Sequence, residues 1–459
     1  MSDVNEADDA RPDVSAPHYE WDGFGFDTRQ VHAGELPEPG FGARTTPIHM
    51  ANAFRFDSFD QTRDRFAGDE AGQLYSRHQN PTNDVAARRI TSLEGGAGTV
   101  LVGSGAAAIS STLFALLDAG EHFLSTASIY SGTQLLFDRA FTRIGYRVGY
   151  VWDWRDEAEW EAAIRPDTKA IFTESIPNPK NDIVDIAFVA AIAKRHGIPL
   201  VVDNTVATPY LLRPLEQGAD IVVHSSTKFL SGHGSGLSGA IVDGGTFDWA
   251  GGPRRWPGIT DAPPSGAPSF LERLGNRHAF EGYLRLAVVN DIGPALSPFN
   301  GFLLQQGMET LSLRMDRHLD SAVAIARWLT EQPEVESVDF AGLEGHPDKA
   351  LADRLYGGRS GSVFAFTVAG GQDGARVLID RLQVFSRMTN IGDTRSMIIH
   401  PATTTHLAFD DARKARLGIH PGLVRVSIGL ETVGDLITDL RNGLAAVRAA
   451  GHVPDAAGE

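Results

Sequence analysis

Two short apolar runs decide how this chain folds: Leu200-Val201-Val202-Asp203-Asn204-Thr205 and Ile221-Val222-Val223-His224-Ser225-Ser226-Thr227-Lys228. Each is too short for a helix, rich in Val and Ile, and ends in polar residues. This is the pattern of a strand buried on both faces of a parallel sheet. Working outward, residues 99–102, 122–125 and 170–174 read the same way. Between such runs lie amphipathic stretches. In residues 185–196, Ile186, Val189, Ala190 and Ala193 form one face, and Lys194, Arg195 and His196 fill the last turn, where a helix favours cations. Strand–helix alternation of this kind predicts an α/β domain with a mainly parallel sheet. A long helix is expected over 298–329, followed by a smaller α+β domain with strands near 362–368, 384–386 and 423–428. Residues 251–268, rich in Pro and Gly, read as a surface loop or insertion.

The chain has 459 residues, and 41 Lys and Arg against 58 Asp and Glu give a net charge of −17. That balance argues against a nucleic-acid partner, which needs a basic face, and against docking on an anionic membrane. The absence of cysteine excludes disulfides, thiolate metal sites and a Cys nucleophile, and fits a reducing cytoplasm. Residues 1–20 hold six acids and one base with no apolar core, which reads as a disordered acidic arm and not as a signal peptide. The 23 uncharged residues from Gly95 to Leu117 are long enough to span a bilayer, but their glycines and hydroxyls suit a strand, a turn and a helix better. No repeat of 20–50 residues is visible.

The candidate chemistry follows from the strand ends. Asp203 places a carboxylate at the carboxyl edge of a parallel sheet, where open α/β proteins bind ligands. The next strand runs into Ser225, Thr227 and Lys228, then into the glycine-flanked His233. Either residue alone is also what a helix-capping aspartate or a surface lysine looks like. Together, a carboxylate for a pyridinium nitrogen and a Schiff-base lysine are what a protein contributes to pyridoxal phosphate (PLP) chemistry. Gly103-Ser104-Gly105-Ala106-Ala107-Ala108-Ile109 follows a strand and opens a helix, so its backbone N–H groups could bind an anion. It is neither a P-loop nor a dinucleotide fingerprint. His400 and His406 lie six apart, but no metal site is assigned to them or to His78, His224 and His233.

Eight motifs in order resemble the Cys/Met-metabolism family of PLP-dependent enzymes. They are Tyr75-Ser-Arg77-His-Gln-Asn80-Pro81-Thr82, Ser104-Gly-Ala-Ala-Ala-Ile109, Glu174-Ser-Ile-Pro-Asn178-Pro179, Val202-Asp-Asn-Thr-Val-Ala-Thr-Pro-Tyr210, His224-Ser-Ser-Thr-Lys228-Phe, Asn390-Ile-Gly-Asp393, His400-Pro-Ala-Thr-Thr-Thr-His406 and Leu423-Val-Arg425-Val-Ser-Ile-Gly-Leu-Glu431. The resemblance spans residues 26–447. It implies the type I, aspartate-aminotransferase-type fold, with a mainly parallel, seven-stranded-type sheet in the large domain and a small α+β C-terminal domain. It divides the chain into an acidic arm (1–24), a segment contacting a neighbouring subunit (25–79), a PLP-binding large domain (80–315, with 251–276 as an insertion) and a small domain (316–459).

The resemblance also implies roles. Lys228 would carry the cofactor and move protons, Asp203 would hold the pyridine nitrogen protonated, and Tyr130 would stack on the ring. Asn178 would bond the phenolic oxygen. Backbone N–H of Gly105 and Ala106 and the hydroxyls of Ser225 and Thr227 would hold the phosphate, joined by Tyr75 and Arg77 from a neighbouring subunit. Arg425 would bind the substrate α-carboxylate in bidentate fashion, helped by the backbone of Asn390; the bland reading of Arg425 is an ion pair with Glu431. Ala106, Ser131 and Pro177 depart from the family's common residues.

Within the family the sequence is most similar to the O-acetylhomoserine sulfhydrylases. The resemblance implies a transferase of methionine biosynthesis that replaces the acetate of O-acetyl-L-homoserine with sulfide or methanethiol. Lys228 would be the acid and base, with Tyr75 and Tyr130 assisting. The enzyme would be a cytoplasmic homo-oligomer, a dimer at least and usually a tetramer of two dimers. The alternatives are a C–S lyase of the same fold, acting on cystathionine or methionine, and a non-enzymatic binding protein, against which the intact Lys228, Asp203 and Arg425 argue. Acetyl, succinyl and phosphoryl homoserine all remain open as substrates.

Overall fold

The two deciding runs are adjacent parallel strands at the centre of a seven-stranded sheet. In the computed structural model, which describes residues 21–35 and 40–453, the strands are β1 (Gly98–Val102), β2 (His122–Thr126), β3 (Arg147–Val151), β4 (Thr168–Glu174), β5 (Leu200–Asp203), β6 (Ile221–His224) and β7 (Gly239–Asp243). Their order is β1-β7-β6-β5-β4-β2-β3. Only β7 runs against its neighbours. The acidic-arm expectation falls mainly on residues 1–20, outside the described residues.

Alternate residues of the central strands enter two cores. Ile171, Val202 and Val222 pack under helix Ile186–Arg195, and Phe172, Val201 and Val223 pack with Phe123, Phe137 and Ile109 on the other face. Full burial of each such side chain contributes about 1.5–3 kcal/mol. Because both faces are covered, the strands read as continuous apolar runs, and their polar residues fall only at the ends. Register then sets Glu174 beside Asp203 and Asp203 beside Val223 at the carboxyl edge.

Local signals set the helices that lead into this edge. Asn80 caps helix Pro81–Glu94 by accepting from Thr82 N at 3.0 Å, Pro81 opens it, and Gly95 closes it at φ 78°. Ser104 caps helix Gly105–Leu116 by accepting from Ala107 N at 3.1 Å.

The small domain is a five-stranded sheet of β8 (Val335–Asp339), β9 (Val363–Val368), β10 (Ser386–Arg387), β11 (Met397–Ile399) and β12 (Leu423–Ser427), ordered β10-β11-β12-β9-β8. Helices Gly371–Arg381 and Val433–Ala449 cover one face through Leu378, Leu440 and Leu444.

Two expectations need correction. The single long helix over 298–329 is two helices, Pro298–Met308 and Leu311–Thr330, separated at Glu309-Thr310, where Arg314 binds the Gly307 carbonyl at 2.6 Å. The second of these crosses between domains. Leu311, Met315 and Leu319 belong to the large core, and Ala322, Ile325 and Leu329 to the small one, so a boundary at 315/316 falls inside a continuous helix. The stretch 251–268 is not simply a surface loop. Its residues 261–268 are exposed, but Trp256 and Ile259 are buried, Trp256 packs against Phe247 and Trp249, and Arg254 Nε donates to Thr168 O at 2.7 Å. It is pinned at the amino end of β4, away from Asp203. No helix among the described residues is long and apolar enough to cross a membrane.

Candidate active site

The strand ends, the start of helix Gly105–Leu116 and the small domain enclose a cavity of about 340 Å³. Its wall includes Gly105, Ala106, Tyr130, Glu174, Asn178, Asp203, Ser225, Thr227 and Lys228 from the large domain, and Thr389 and Ile391 from the small one.

At one end, the first N–H groups of helix Gly105–Leu116 have no acceptor within the helix. Here the chain must be glycine, because a Cβ on Gly105 would stand 2.5 Å from the Ser225 Cβ. This close approach brings the Ser225 hydroxyl beside the helix N-terminus, which is a ready anion site. Ser225 itself is fixed by donating its N–H to Thr205 Oγ1 at 2.8 Å. The Thr227 hydroxyl lines the same end, with Ser238 O accepting from it at 3.0 Å.

Asp203 Oδ1 accepts from Thr205 N at 2.9 Å and from Thr205 Oγ1 at 2.5 Å. Its neighbour Glu174 accepts from Tyr130 N at 2.7 Å. Burial raises both carboxyls, and Asp203 pushes Glu174 up further, whereas the two Thr205 donors pull Asp203 back down. The upward shift is the larger at Glu174, so Asp203 is the more readily ionised of the two. Tyr130 sits at the start of helix Ser131–Leu135 and is half exposed to the cavity. Its ring folds over Gly132, where a Cβ would lie 2.4 Å from the ring.

Lys228 Nζ donates to Asn390 Oδ1. The Asn390 carbonyl accepts from Arg425 Nη2 at 3.1 Å, and Asn178 Oδ1 accepts from Arg425 Nη1 at 3.3 Å. One asparagine thus ties the lysine to the arginine across the domain boundary. Burial and the Arg425 charge lower Lys228 to about 8, which makes its amine available as a base near neutrality. Arg425 is 1% exposed. The ion pair with Glu431 considered from sequence is not formed, because Glu431 accepts instead from Ser396 N at 2.6 Å and Ser396 Oγ at 2.8 Å.

Tyr75 and Arg77 do not line this cavity. Arg77 lies over the Tyr75 ring at 5.1 Å and donates to Asn290 Oδ1 at 3.2 Å. Further buried polar groups lie in and around the site. Glu174, the first residue of the Glu174–Pro179 motif, lies on the cavity wall. His224, one of the scattered histidines, is paired at 2.7 Å with Glu94, both side chains wholly buried, and Glu94 also accepts from Asn204 Nδ2 at 3.1 Å. The alternation of β6 was the available signal: it turns His224 to the face opposite Asp203. His406 is buried and held at about 4, chiefly by burial, so it stays neutral. Among the described residues no group of three His, Asp or Glu could hold a metal ion.

Comparison with known proteins places these features in context. The family described as Cys/Met metabolism PLP-dependent enzyme matches residues 27–445. The O-acetyl-L-homoserine sulfhydrylase of Corynebacterium glutamicum is 42% identical over 439 residues, covering 93% of this chain and 98% of the relative. The L-methionine gamma-lyase of Pseudomonas putida is 38% identical over 423 residues, covering 92% and 98%. A Campylobacter jejuni protein assigned as O-acetylhomoserine (thiol)-lyase, its crystal structure holding pyridoxyl-lysine 5'-monophosphate, superposes with a TM-score of 0.88 at 33% identity, covering 92% of this chain and all (100%) of that one.

Proposed function

The chain belongs to the Cys/Met-metabolism family of PLP-dependent enzymes, and on that footing we propose that it converts O-acetyl-L-homoserine and sulfide (or methanethiol) to L-homocysteine (or methionine) and acetate. The fit of the cofactor to these residues can be judged from the cavity itself. Gly105 leaves room that a Cβ would close, the Ser225 hydroxyl and free helix N–H groups suit a phosphate, and Asp203 offers an anion for a pyridinium nitrogen. Asn178 and Tyr130 line the same wall for the phenolic oxygen and the ring face. When bound, PLP supplies an electron sink for negative charge developing at the substrate's Cα.

The remaining chemistry is the chain's own. Arg425 holds the substrate α-carboxylate with a planar fork that a lysine does not offer. Lys228 Nζ, neutral above about 8, takes the Cα proton and then a Cβ proton as acetate leaves Cγ; after sulfur adds at Cγ, protons are returned to Cβ and Cα. The observation that carries this reading is the Lys228–Asn390–Arg425 connection, which sets the base a fixed reach from the carboxylate-binding group.

A lyase of the same fold would use the same residues. The test is to give purified holoenzyme O-acetyl-, O-succinyl- or O-phosphohomoserine with sulfide, or cystathionine or methionine alone. Homocysteine from the acetyl ester as the fastest product is expected. Ammonia and a keto acid from methionine, with no homocysteine from any ester, would sink the proposal in favour of the lyase.

We further propose a cytoplasmic homo-oligomer, at least a dimer and most simply a tetramer of two dimers, in which Tyr75 and Arg77 of the partner subunit complete the phosphate site. The exposed Met50, Phe59 and Phe66 near this segment support a covered face. Mixing two inactive variants, Arg77→Ala and Lys228→Ala, and letting subunits exchange should restore about a quarter of wild-type activity, since one site of each hybrid dimer is then intact. No recovery after verified exchange would exclude a shared site.

A further inference from the structure

Arg314 and His318 lie one turn apart on the buried face of helix Leu311–Thr330, 5% and 0% exposed. Arg314 is surrounded by carbonyls and has no carboxylate partner among the described residues. Nη1 donates to Phe229 O at 2.7 Å, Nη2 to Gly307 O at 2.6 Å and more loosely to Leu230 O, and Nε to Thr310 Oγ1 at 3.2 Å. Phe229 and Leu230 immediately follow Lys228, and Gly307 belongs to the last turn of helix Pro298–Met308. Two chain segments therefore point their negative carbonyl ends at one guanidinium, which satisfies both. The fit is tight: a Cβ on Gly232 would stand 2.2 Å from Arg314 Nη1, and one on Gly307 2.2 Å from Ser231 O.

His318 works from the same helix toward the other end of the site. Its Nδ1 lies 2.7 Å from Ile428 O, to which it donates, and its ring meets Phe229 edge-on at 5.4 Å and 87°. Ile428 is three residues beyond Arg425. Burial keeps His318 neutral at about 4 and lowers Arg314 to about 10. An uncompensated buried guanidinium is costly to keep. Its place beside Lys228, in a helix that crosses both domains, gives that cost a use.

We infer that Arg314 and His318 are positioning residues that hold the Lys228 turn against the Arg425 strand and so fix the distance between the amine and the carboxylate-binding guanidinium. This rests on the reading of Lys228 as the cofactor-bearing lysine. Neither residue reaches the cavity wall, so Arg314 acts through Phe229 and Leu230, and His318 through Phe229 and Ile428.

The test uses holoenzyme. Arg314→Lys keeps the charge and loses the fork; Arg314→Met removes both. A displacement of about 1 Å at Lys228 costs up to about 100-fold in rate. Arg314→Lys is therefore expected to lower kcat about tenfold or more, to leave KM for the amino-acid substrate within about threefold, and to shift the pH midpoint of the bound cofactor's visible absorbance. That midpoint is read without substrate. If Arg314→Met does not fold, Arg314→Lys alone decides the matter. A lysine variant with wild-type kcat and an unmoved midpoint overturns the inference, as does a change confined to the thermal midpoint. Borohydride reduction of the wild-type enzyme, followed by peptide mass analysis, is the separate control. A label on any residue other than Lys228 refutes the lysine assignment, and this inference falls with it.

Discussion

Replacing Lys228 with alanine is expected to lower turnover by about 10⁴-fold and to abolish the visible absorbance of lysine-bound cofactor, while far-ultraviolet circular dichroism stays that of the wild type. Among the described residues the amine is the only lysine on the cavity wall, so no neighbouring lysine can take over the proton transfers at Cα and Cβ. Its side chain contributes little to either core, since the turn is held by Gly232 N donating to Lys228 O at 2.7 Å and by Arg314, both of which act on backbone. The wild type provides a companion measurement. Only the neutral amine attacks an aldehyde, and the folded protein lowers Lys228 from the usual 10.5 to about 8. In cofactor-free protein the rate of PLP uptake should thus climb about tenfold per pH unit below 8 and level off above it. Stopped-flow absorbance would show this. An uptake rate still climbing steeply at pH 10 would mean that the amine is not desolvated, and turnover retained in Lys228→Ala would remove the lysine from its role.

The central strands were legible because burial on both faces leaves no ambiguity: a run such as Leu200-Val-Val-Asp203 has a single reading in a chain that alternates strands and helices. The edge and antiparallel strands were not. β3 carries Arg147 and partly exposed residues because it is the edge strand, with no strand beyond it, and β7 follows a glycine-rich loop with no helix between it and β6. Position at the carboxyl edge made Asp203 and Lys228 recognisable, since a polar residue that closes an apolar parallel strand opens onto the crevice where such sheets bind ligands. Glu174 ends its strand in the same way, but its task is to hold the Tyr130 backbone, which leaves no periodic signature. Arg314 and His318 sit in an otherwise amphipathic pattern, where a cation every fourth residue reads as a solvated face. Only the crossing of the helix between two cores turns that face inward. The helix break at Glu309-Thr310 was hidden for a related reason, as the residues that stabilise it lie later in the chain.

Arg425 offers the sharpest separation between a structural and a functional residue. A buried arginine in a scaffold role has every nitrogen satisfied, as Arg314 has, because an unsatisfied guanidinium in a dry interior is unfavourable. Arg425 has the side-chain carbonyl of Asn178 and the backbone carbonyl of Asn390, an Nε without a hydrogen-bond partner among the described residues, and a titration lowered to about 10, chiefly by burial. Such a group gains most when an anion arrives, and a bidentate, charge-assisted pair is roughly twice as strong as a neutral one. Arg425→Met, similar in length and uncharged, should therefore reduce kcat/KM for the amino-acid substrate by about 100- to 1000-fold, corresponding to about 3–4 kcal/mol, mostly through KM. Arg425→Lys should fall between, since it retains the charge without the fork. Because Lys228 feels the Arg425 charge, its amine should titrate higher in the methionine variant, which moves the pH profile of cofactor uptake toward alkaline values. The unliganded methionine variant should melt at or above the wild-type temperature, since a buried unpaired charge has been removed from the resting protein. A structural arginine predicts the reverse on both counts: a large loss of thermal stability with KM unchanged. Steady-state kinetics and a thermal melt on the same preparation distinguish the two, and a destabilised variant with wild-type KM would return Arg425 to the scaffold.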